Sequence, residues 1–206
     1  MILWSGGCDS TLILHDALVE RRKLTDSNSW VWPVVTLAIV QDGVPALDEQ
    51  RASRDAIRAN LEKRGDVWKH LEVRVSVDGG YILAFPGLSQ PQLWISVAHS
   101  YLGKAEPLII GWHDGDHVWS RIADVRTAFE ALQRIGGRTG ELETPLRYDR
   151  KANIIKRLKA TGLYDLTWYC EAPKDGRRCE GRKVCTPCRV HALALAECDM
   201  FEEYVL

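Results

Sequence analysis

Ser5-Gly6-Gly7-Cys8-Asp9-Ser10 follows directly on the apolar run Met1-Ile2-Leu3-Trp4 and leads into Thr11-Leu12-Ile13-Leu14-His15-Asp16-Ala17-Leu18. The apolar run reads as a short buried strand and the later stretch as the opening of a helix. A glycine-rich turn between a strand and a helix N-terminus is a place to hold phosphate. Its glycines let the backbone approach an anion, its amides point outward, and the helix dipole favours negative charge. Ser5, Ser10 and Thr11 add hydroxyl donors. A plain strand-to-helix turn with a serine or aspartate cap accounts for part of the string, but not for its two glycines. No Gly-Lys-Ser/Thr follows, so this is not the Walker loop. The expected cradle is Ser5, Gly6, Gly7, Cys8, Asp9, Ser10 and Thr11.

Outward from the turn, strand-like runs alternate with helix-period segments. Val34–Val40 is continuous and β-branched, as a fully buried strand would be. Residues 47–64 space their apolar side chains among charges as an amphipathic helix stopped by Gly65. Leu71–Val77 alternates strictly and predicts a half-exposed strand. Residues 92–103 predict a helix, Pro107–Gly111 a short buried strand, and residues 121–135 a further helix closed by Gly136-Gly137. Repeated β-then-α order implies parallel strands with right-handed crossovers, hence a doubly wound α/β sheet. Ligands in such sheets bind beyond the carboxyl ends of the strands, where both Ser5–Ser10 and the stretch Gly111–Asp116 would lie. Asp26–Trp32 and Asp78–Pro91 read as loops, the second as a cover for the site. Asp149–Thr161 predicts a basic helix and residues 189–203 a final one.

The chain has 206 residues, 46% of them hydrophobic, and a formal net charge of −1. That length suits one α/β domain with a small appendage. The near-zero charge argues against bulk electrostatic attraction to nucleic acid or to a membrane surface. No apolar run approaches the roughly 20 residues that span a bilayer, and the start has neither a basic leader nor an unbroken apolar stretch. A cytoplasmic protein is expected.

Four of the six cysteines, Cys170, Cys179, Cys185 and Cys188, are spaced C-x8-C-x5-C-x2-C. In a reducing compartment such clustering favours a metal over disulfides, and four thiolates make a tetrahedral zinc site. The Gly-, Pro- and charge-rich stretch Glu171–Val184 could hardly organise around a core of its own, so a metal would order it. A redox Cys-x-x-Cys pair is the competing reading. Lys174, Arg177, Arg178, Arg182, Lys183 and Arg189 also leave open a nucleic-acid-binding finger. Cys198 falls on an apolar helix face and reads as core.

The Ser5–Ser10 turn resembles the S-G-G-x-D-S loop of the PP-loop ATP pyrophosphatases. Combined with four cysteines near the C-terminus, it resembles the 7-cyano-7-deazaguanine synthase (QueC) family. Glu143-Thr144-Pro145-Leu146 with Asp149 and Lys151-Ala152 is similar to that family's E-T-P-L and D-K-A segment. Gly111 with Asp116, then Asp124-x-Arg126-x-x-Phe129, is similar to its G-x-x-x-x-D and D-C-R-x-x-F stretch, and Ala98 and Tyr101 fall in a helix like the one after its G-R-N loop. Three features depart from the pattern. Val40-Gln41-Asp42-Gly43 stands where the family has Y-G-Q-x-H-x-x-E, Ser89-Gln90-Pro91 stands where it has G-R-N, and the second and third cysteines are further apart. These departures would relax contacts to ATP or substrate, or redirect the enzyme within the family.

The resemblance implies a PP-loop nucleotide-binding α/β domain over residues 1–148 and a helical, zinc-binding region over 149–206. It implies a ligase that uses ATP, with magnesium, to convert 7-carboxy-7-deazaguanine and ammonia to the amide and then the nitrile, and a homodimer. Asp9, Ser10 and Lys151 would be catalytic. Asp9 would orient the loop or bind the metal, and Lys151 would neutralise developing phosphate charge. Asp116 and Arg126 would reach the substrate. Cys8 occupies the variable position of the loop and has no basic partner to make it a nucleophile. His113, His117, Trp112, Trp119 and Trp168 are further residues that could approach a purine-like ring. Other readings are a PP-loop enzyme that stops at the amide or acts on tRNA or protein, and a non-catalytic zinc-stabilised adaptor or nucleic-acid binder.

Overall fold

The computed structural model describes residues 1–26, 32–75, 90–113, 115–179 and 184–203, the last five by backbone alone. Most of the expected cover loop and Arg182 and Lys183 lie outside the described residues. Strands β1 (Ile2–Leu3), β2 (Val35–Gln41), β3 (Lys69–Val75), β4 (Leu108–Ile109) and β5 (Leu142–Glu143) form one parallel sheet in the order β3-β2-β1-β4-β5. Helices α1 (Cys8–Asp26), α2 (Leu47–Lys63), α3 (Gln90–Tyr101) and α4 (Ile122–Ile135) alternate with them. Helices α5 (Lys151–Ala160) and α6 (Thr186–Glu203) follow the last strand. The sheet is thus the expected doubly wound one, flanked by helices.

β1 is central, so both its faces must be apolar. Successive side chains point to opposite sides. Met1 and Leu3 enter a cluster with Leu37, Ile95 and Phe129, whereas Ile2 and Trp4 enter another with Leu12, Ile57 and Leu158. The register pairs Leu3 with Leu37 and Ile2 with Ile109, and the Trp4 amide donates to the Leu37 carbonyl at 2.8 Å. The strand order reverses between β1 and β4, which makes a crevice beyond their carboxyl ends. The turn after each of those strands opens into it.

β3 is an edge strand and alternates in exposure, as predicted, although it begins two residues earlier at Lys69. β5 was not foreseen, because two residues give no periodicity. The segment after residue 148 shares core with the first half. Ile154, Leu158 and Leu163 are buried in the same cluster as Trp4 and Leu12. Cys198 packs with Ala152, Ile155 and Ala194, in keeping with the core reading.

His70 on β3 is held against the sheet by Thr36, whose hydroxyl lies 2.8 Å from Nδ1, and by the edge of Trp4. Burial, with Arg54 and Arg58 nearby, lowers its pKa to about 4. The unfolded chain therefore binds a proton that the folded one refuses between about pH 6.5 and 4, so stability falls as pH drops through that window. Melting temperature measured from pH 7 to 4.5 should decline, and His70→Gln should flatten the decline.

Candidate functional site

The turn after β1 is built so that its backbone stays rigid and close to the sheet. Gly6 has φ +87°, a conformation that side chains disfavour. A Cβ there would also lie 3.0 Å from Arg54 Cγ and 3.2 Å from the Gln50 carbonyl. Gly6→Ala should cost about 1–2 kcal/mol from backbone conformation alone, more with the clash. Loss of nucleotide binding measured by calorimetry should accompany the fall in melting temperature.

The Gly6 carbonyl accepts hydrogen bonds from the Trp168 amide at 3.1 Å and the Ser53 hydroxyl at 3.0 Å. The Ser10 hydroxyl accepts from the Ser5 amide at 3.2 Å, and the Gly7 amide donates to Ser5 Oγ at 3.2 Å. These bonds tie the turn from inside. Helix α1 begins at Cys8, three residues earlier than the sequence reading had it, and its first-turn amides at Cys8 and Asp9 have no carbonyl one turn back within the helix. They are the donors an anion would find.

A cavity of about 630 Å³ opens over this turn, within the roughly 300–1,000 Å³ typical of small-molecule sites. Ser5, Gly7, Cys8, Asp9 and Ser10 line it. Gly6 and Thr11 do not. The Gly6 carbonyl is taken by Trp168 and Ser53, and the fully buried Thr11 accepts from Trp4 Nε1 at 3.2 Å. Cys8 is buried against Thr167, 3.2 Å from its hydroxyl, and burial pushes its thiol pKa up. Its surroundings are those of a packed thiol.

Lys151, at the start of α5, crosses 142 positions of sequence to meet Asp9. Its Nζ donates to both carboxylate oxygens, at 2.7 Å to Oδ1. Burial alone would lower the lysine pKa, but Asp9, Cys8 and Asp116 more than reverse this and hold the ammonium charged. Asp116 approaches from the loop after β4. That loop reaches the turn because Gly111 has no side chain: a Cβ would sit 3.0 Å from Asp9 Cβ and from the Ser10 amide nitrogen. Burial raises the Asp116 pKa, and Asp9 raises it further. Trp112, stacked on Trp94 with ring centroids 6.4 Å apart, forms an apolar wall of the same cavity.

Arg126 is not among the lining residues. Its guanidinium donates to Thr144 Oγ1 at 3.1 Å, joining two stretches that the sequence analysis had read separately. Trp119 packs at the edge of the core with Arg147 over its ring, while His117 and Trp168 line the cavity.

Two contributions escaped the sequence reading. The buried Arg54 of α2 donates to the Ser5 carbonyl at 3.3 Å and to Glu72 at 3.0 Å. In sequence it is one charge among many on an amphipathic helix, and nothing marks it. The second is the C-terminal segment itself. Tyr169, Glu171, Thr186, Pro187 and His191 line the same cavity as the Ser5–Ser10 turn, so the cysteine-bearing region is a wall of the site.

In that wall the sulfurs of Cys170, Cys179, Cys185 and Cys188 all lie within 4.8 Å of one another, with 4.0 Å between Cys185 and Cys170. All four are unbridged thiols. Metal–sulfur bonds of about 2.3 Å in a tetrahedron put neighbouring sulfurs about 3.8 Å apart, so the group fits one tetrahedral ion. A four-iron cluster sets a separate iron under each sulfur and needs a wider cage. Burial opposes ionisation of Cys185, yet hydrogen bonds from the Cys188 and Glu171 amides bring its pKa to about 7. Cys188 is pushed up by burial and by the three sulfurs around it. Four such thiols ionise together only around a cation.

Lys174, Arg177 and Arg189 are exposed, but Arg178 is not free for nucleic acid: it donates to the Thr167 carbonyl at 2.9 Å and lies over the Tyr169 ring. No helix among the described residues is long and apolar enough to cross a membrane.

No family model matches the chain, and no curated protein matches it. Among solved structures it is similar to the U34-tRNA thiolase NcsA from Methanococcus maripaludis with its 4Fe-4S cluster, at 13% identity and a TM-score of 0.49. That match covers 98% of this chain and 66% of the other, so this chain spans just under two thirds of the thiolase's length.

Proposed function

We propose that this chain is an ATP pyrophosphatase of the PP-loop kind that adenylates a carboxylate on a planar, purine-like substrate and aminates it with ammonia. On the resemblance in its sequence, the substrate is 7-carboxy-7-deazaguanine and the product the amide and then the nitrile. The observation that carries this reading is the convergence of the Ser5–Ser10 turn, Lys151 and Asp116 on one cavity. Those residues come from three of the stretches on which the resemblance rests, and they are far apart in sequence.

The chemistry asks for what the site holds. A carboxylate is a poor acyl donor because it would expel oxide. Attack of its oxygen on the α-phosphorus of ATP forms an acyl adenylate and releases pyrophosphate, whose charge falls to the turn amides, the Ser5 and Ser10 hydroxyls and Lys151. Ammonia then displaces AMP to give the amide. Repetition at the amide oxygen, with loss of AMP and a proton, gives the nitrile. Magnesium would shield the phosphates, with Asp9 the nearest carboxylate on the turn. Trp112 and Trp94 offer a flat apolar wall for the ring.

Zinc is the ion we assign to the four cysteines, as a structural element. A sulfur-transfer enzyme of the thiol-dependent kind would need a reactive thiol in the cavity, and the only cysteine lining it among the described residues, Cys8, has its pKa raised by burial. Incubation with 7-carboxy-7-deazaguanine, ATP and ammonium, read by mass spectrometry, tests the proposal. Amide or nitrile with AMP and pyrophosphate is expected; ADP, or no change in the base, overturns it.

A further inference from the structure

His113 and Asp116 form a pair in the loop after β4, and adenylation by itself leaves the proton of the nitrogen nucleophile without an acceptor. The His113 amide donates to Asp116 Oδ2 at 3.0 Å, and the Gly115 amide donates to His113 Nδ1 at 3.1 Å. An imidazole that accepts at Nδ1 carries its proton on Nε2. That Nε2–H faces Asp116 Oδ1 at 3.5 Å. The carboxylate is therefore fixed at Oδ2 by a backbone amide and flanked at Oδ1 by a ring that is itself almost wholly buried. A surface aspartate needs no such support. Asp116 lines the cavity, between the phosphate turn and the tryptophan wall.

We propose that Asp116, oriented by His113, is the general base that deprotonates the nitrogen nucleophile in the amination step. The inference rests on the adenylation reading above and gives it a second half-site. An ammonium ion cannot attack, because its lone pair is bound to a proton. Asp116 accepts that proton, the freed pair forms the N–C bond at the acyl carbon, and the C–O bond breaks with its electrons leaving on AMP. A second proton leaves the nitrogen by the same carboxylate once the first has passed to solvent. The groups facing Asp116 suit this: His113 is a fixed donor beside it, Asp9 disfavours a second negative charge, and Lys151 is held by Asp9. Asp9 and Asp116 together outnumber Lys151 in charge, which favours a small cation between them. His113 acts through Asp116 and is a positioning residue.

The two half-reactions separate this inference from its premise. Exchange of labelled pyrophosphate into ATP, dependent on the carboxylate substrate, reads adenylation without ammonia. Asp116→Asn should lower amide formation about 100-fold or more, and exchange by a much smaller factor. Hydroxylamine, a nucleophile uncharged at neutral pH, should restore most of the rate to this variant. His113→Phe should show the same split, with partial rescue in His113→Gln, whose amide can still donate to the carboxylate. Equal loss of exchange and amination in Asp116→Asn, or no rescue by hydroxylamine, overturns the assignment. Absence of exchange in the unaltered protein contradicts the adenylation reading itself, and this inference falls with it.

Discussion

Replacing Lys151 by methionine is expected to lower the rate of pyrophosphate release by about 100- to 1,000-fold, the usual cost of removing one preorganised charge from a transition state. Methionine keeps the length and apolar stem of the side chain, so the loss isolates the ammonium. The pair with Asp9 is partly solvated, with 16% and 24% of the two side chains exposed. Its rupture should therefore destabilise the fold by less than the roughly 3–5 kcal/mol of a fully buried pair. Lys151→Arg should recover little, because a planar guanidinium cannot reproduce a point charge centred between two carboxylate oxygens. Steady-state kinetics beside a thermal melt tests this. A variant that melts normally and turns over normally would remove Lys151 from the chemistry.

Removal of the metal should have the second large effect, and it should reach the phosphate turn. Cys170 lies two residues after Trp168, whose amide holds the Gly6 carbonyl and whose indole donates to the Cys170 carbonyl at 2.8 Å. Cys179 follows Arg178, which grips the Thr167 carbonyl, and Thr167 touches Cys8. Cys188 sits in the first turn of α6, which forms part of the cavity wall. Structural zinc contributes about 10–16 kcal/mol in small finger peptides, comparable with the entire stability of an ordinary domain. The sheet has its own core and should survive. Cys170→Ser or Cys188→Ser should lower zinc content from one equivalent to near zero and weaken ATP binding at least tenfold, with most of the helix and strand signal in circular dichroism retained. Metal analysis, calorimetry with ATP and circular dichroism on the same samples check all three.

The parts of this molecule that were legible in the sequence are those fixed by local chemistry. The strand–turn–helix of residues 1–18 follows from an apolar run, a Gly-Gly turn and a helical period, and the structure has that order, with the helix starting three residues earlier at Cys8. The four cysteines were legible because thiols at short spacings have few other uses. What sequence does not carry is the partner across the fold. Thr11 looks like a further phosphate donor, but it is fully buried under the Trp4 indole and does not line the cavity. Arg126 looks like a cavity residue, but it does not line the cavity, and one of its guanidinium nitrogens meets Thr144 instead. Arg54 and Ser53 brace the turn from a helix whose charges look alike in one dimension. The division at residue 148 followed a change in composition, whereas Ile154, Leu158 and Leu163 insert into the core of the first half. Residues that meet only through the tertiary structure leave no periodic trace.

Oxygen tracing tests the central claim most directly. With 7-carboxy-7-deazaguanine labelled with oxygen-18 in its carboxylate, adenylation at the α-phosphorus carries the label into AMP, one atom with each AMP released and none in pyrophosphate. Phosphorus NMR resolves the isotope shift on each product. Label in AMP is the predicted result; label in inorganic phosphate beside ADP, or retained wholly in an unaltered base while ATP is consumed, would contradict the account.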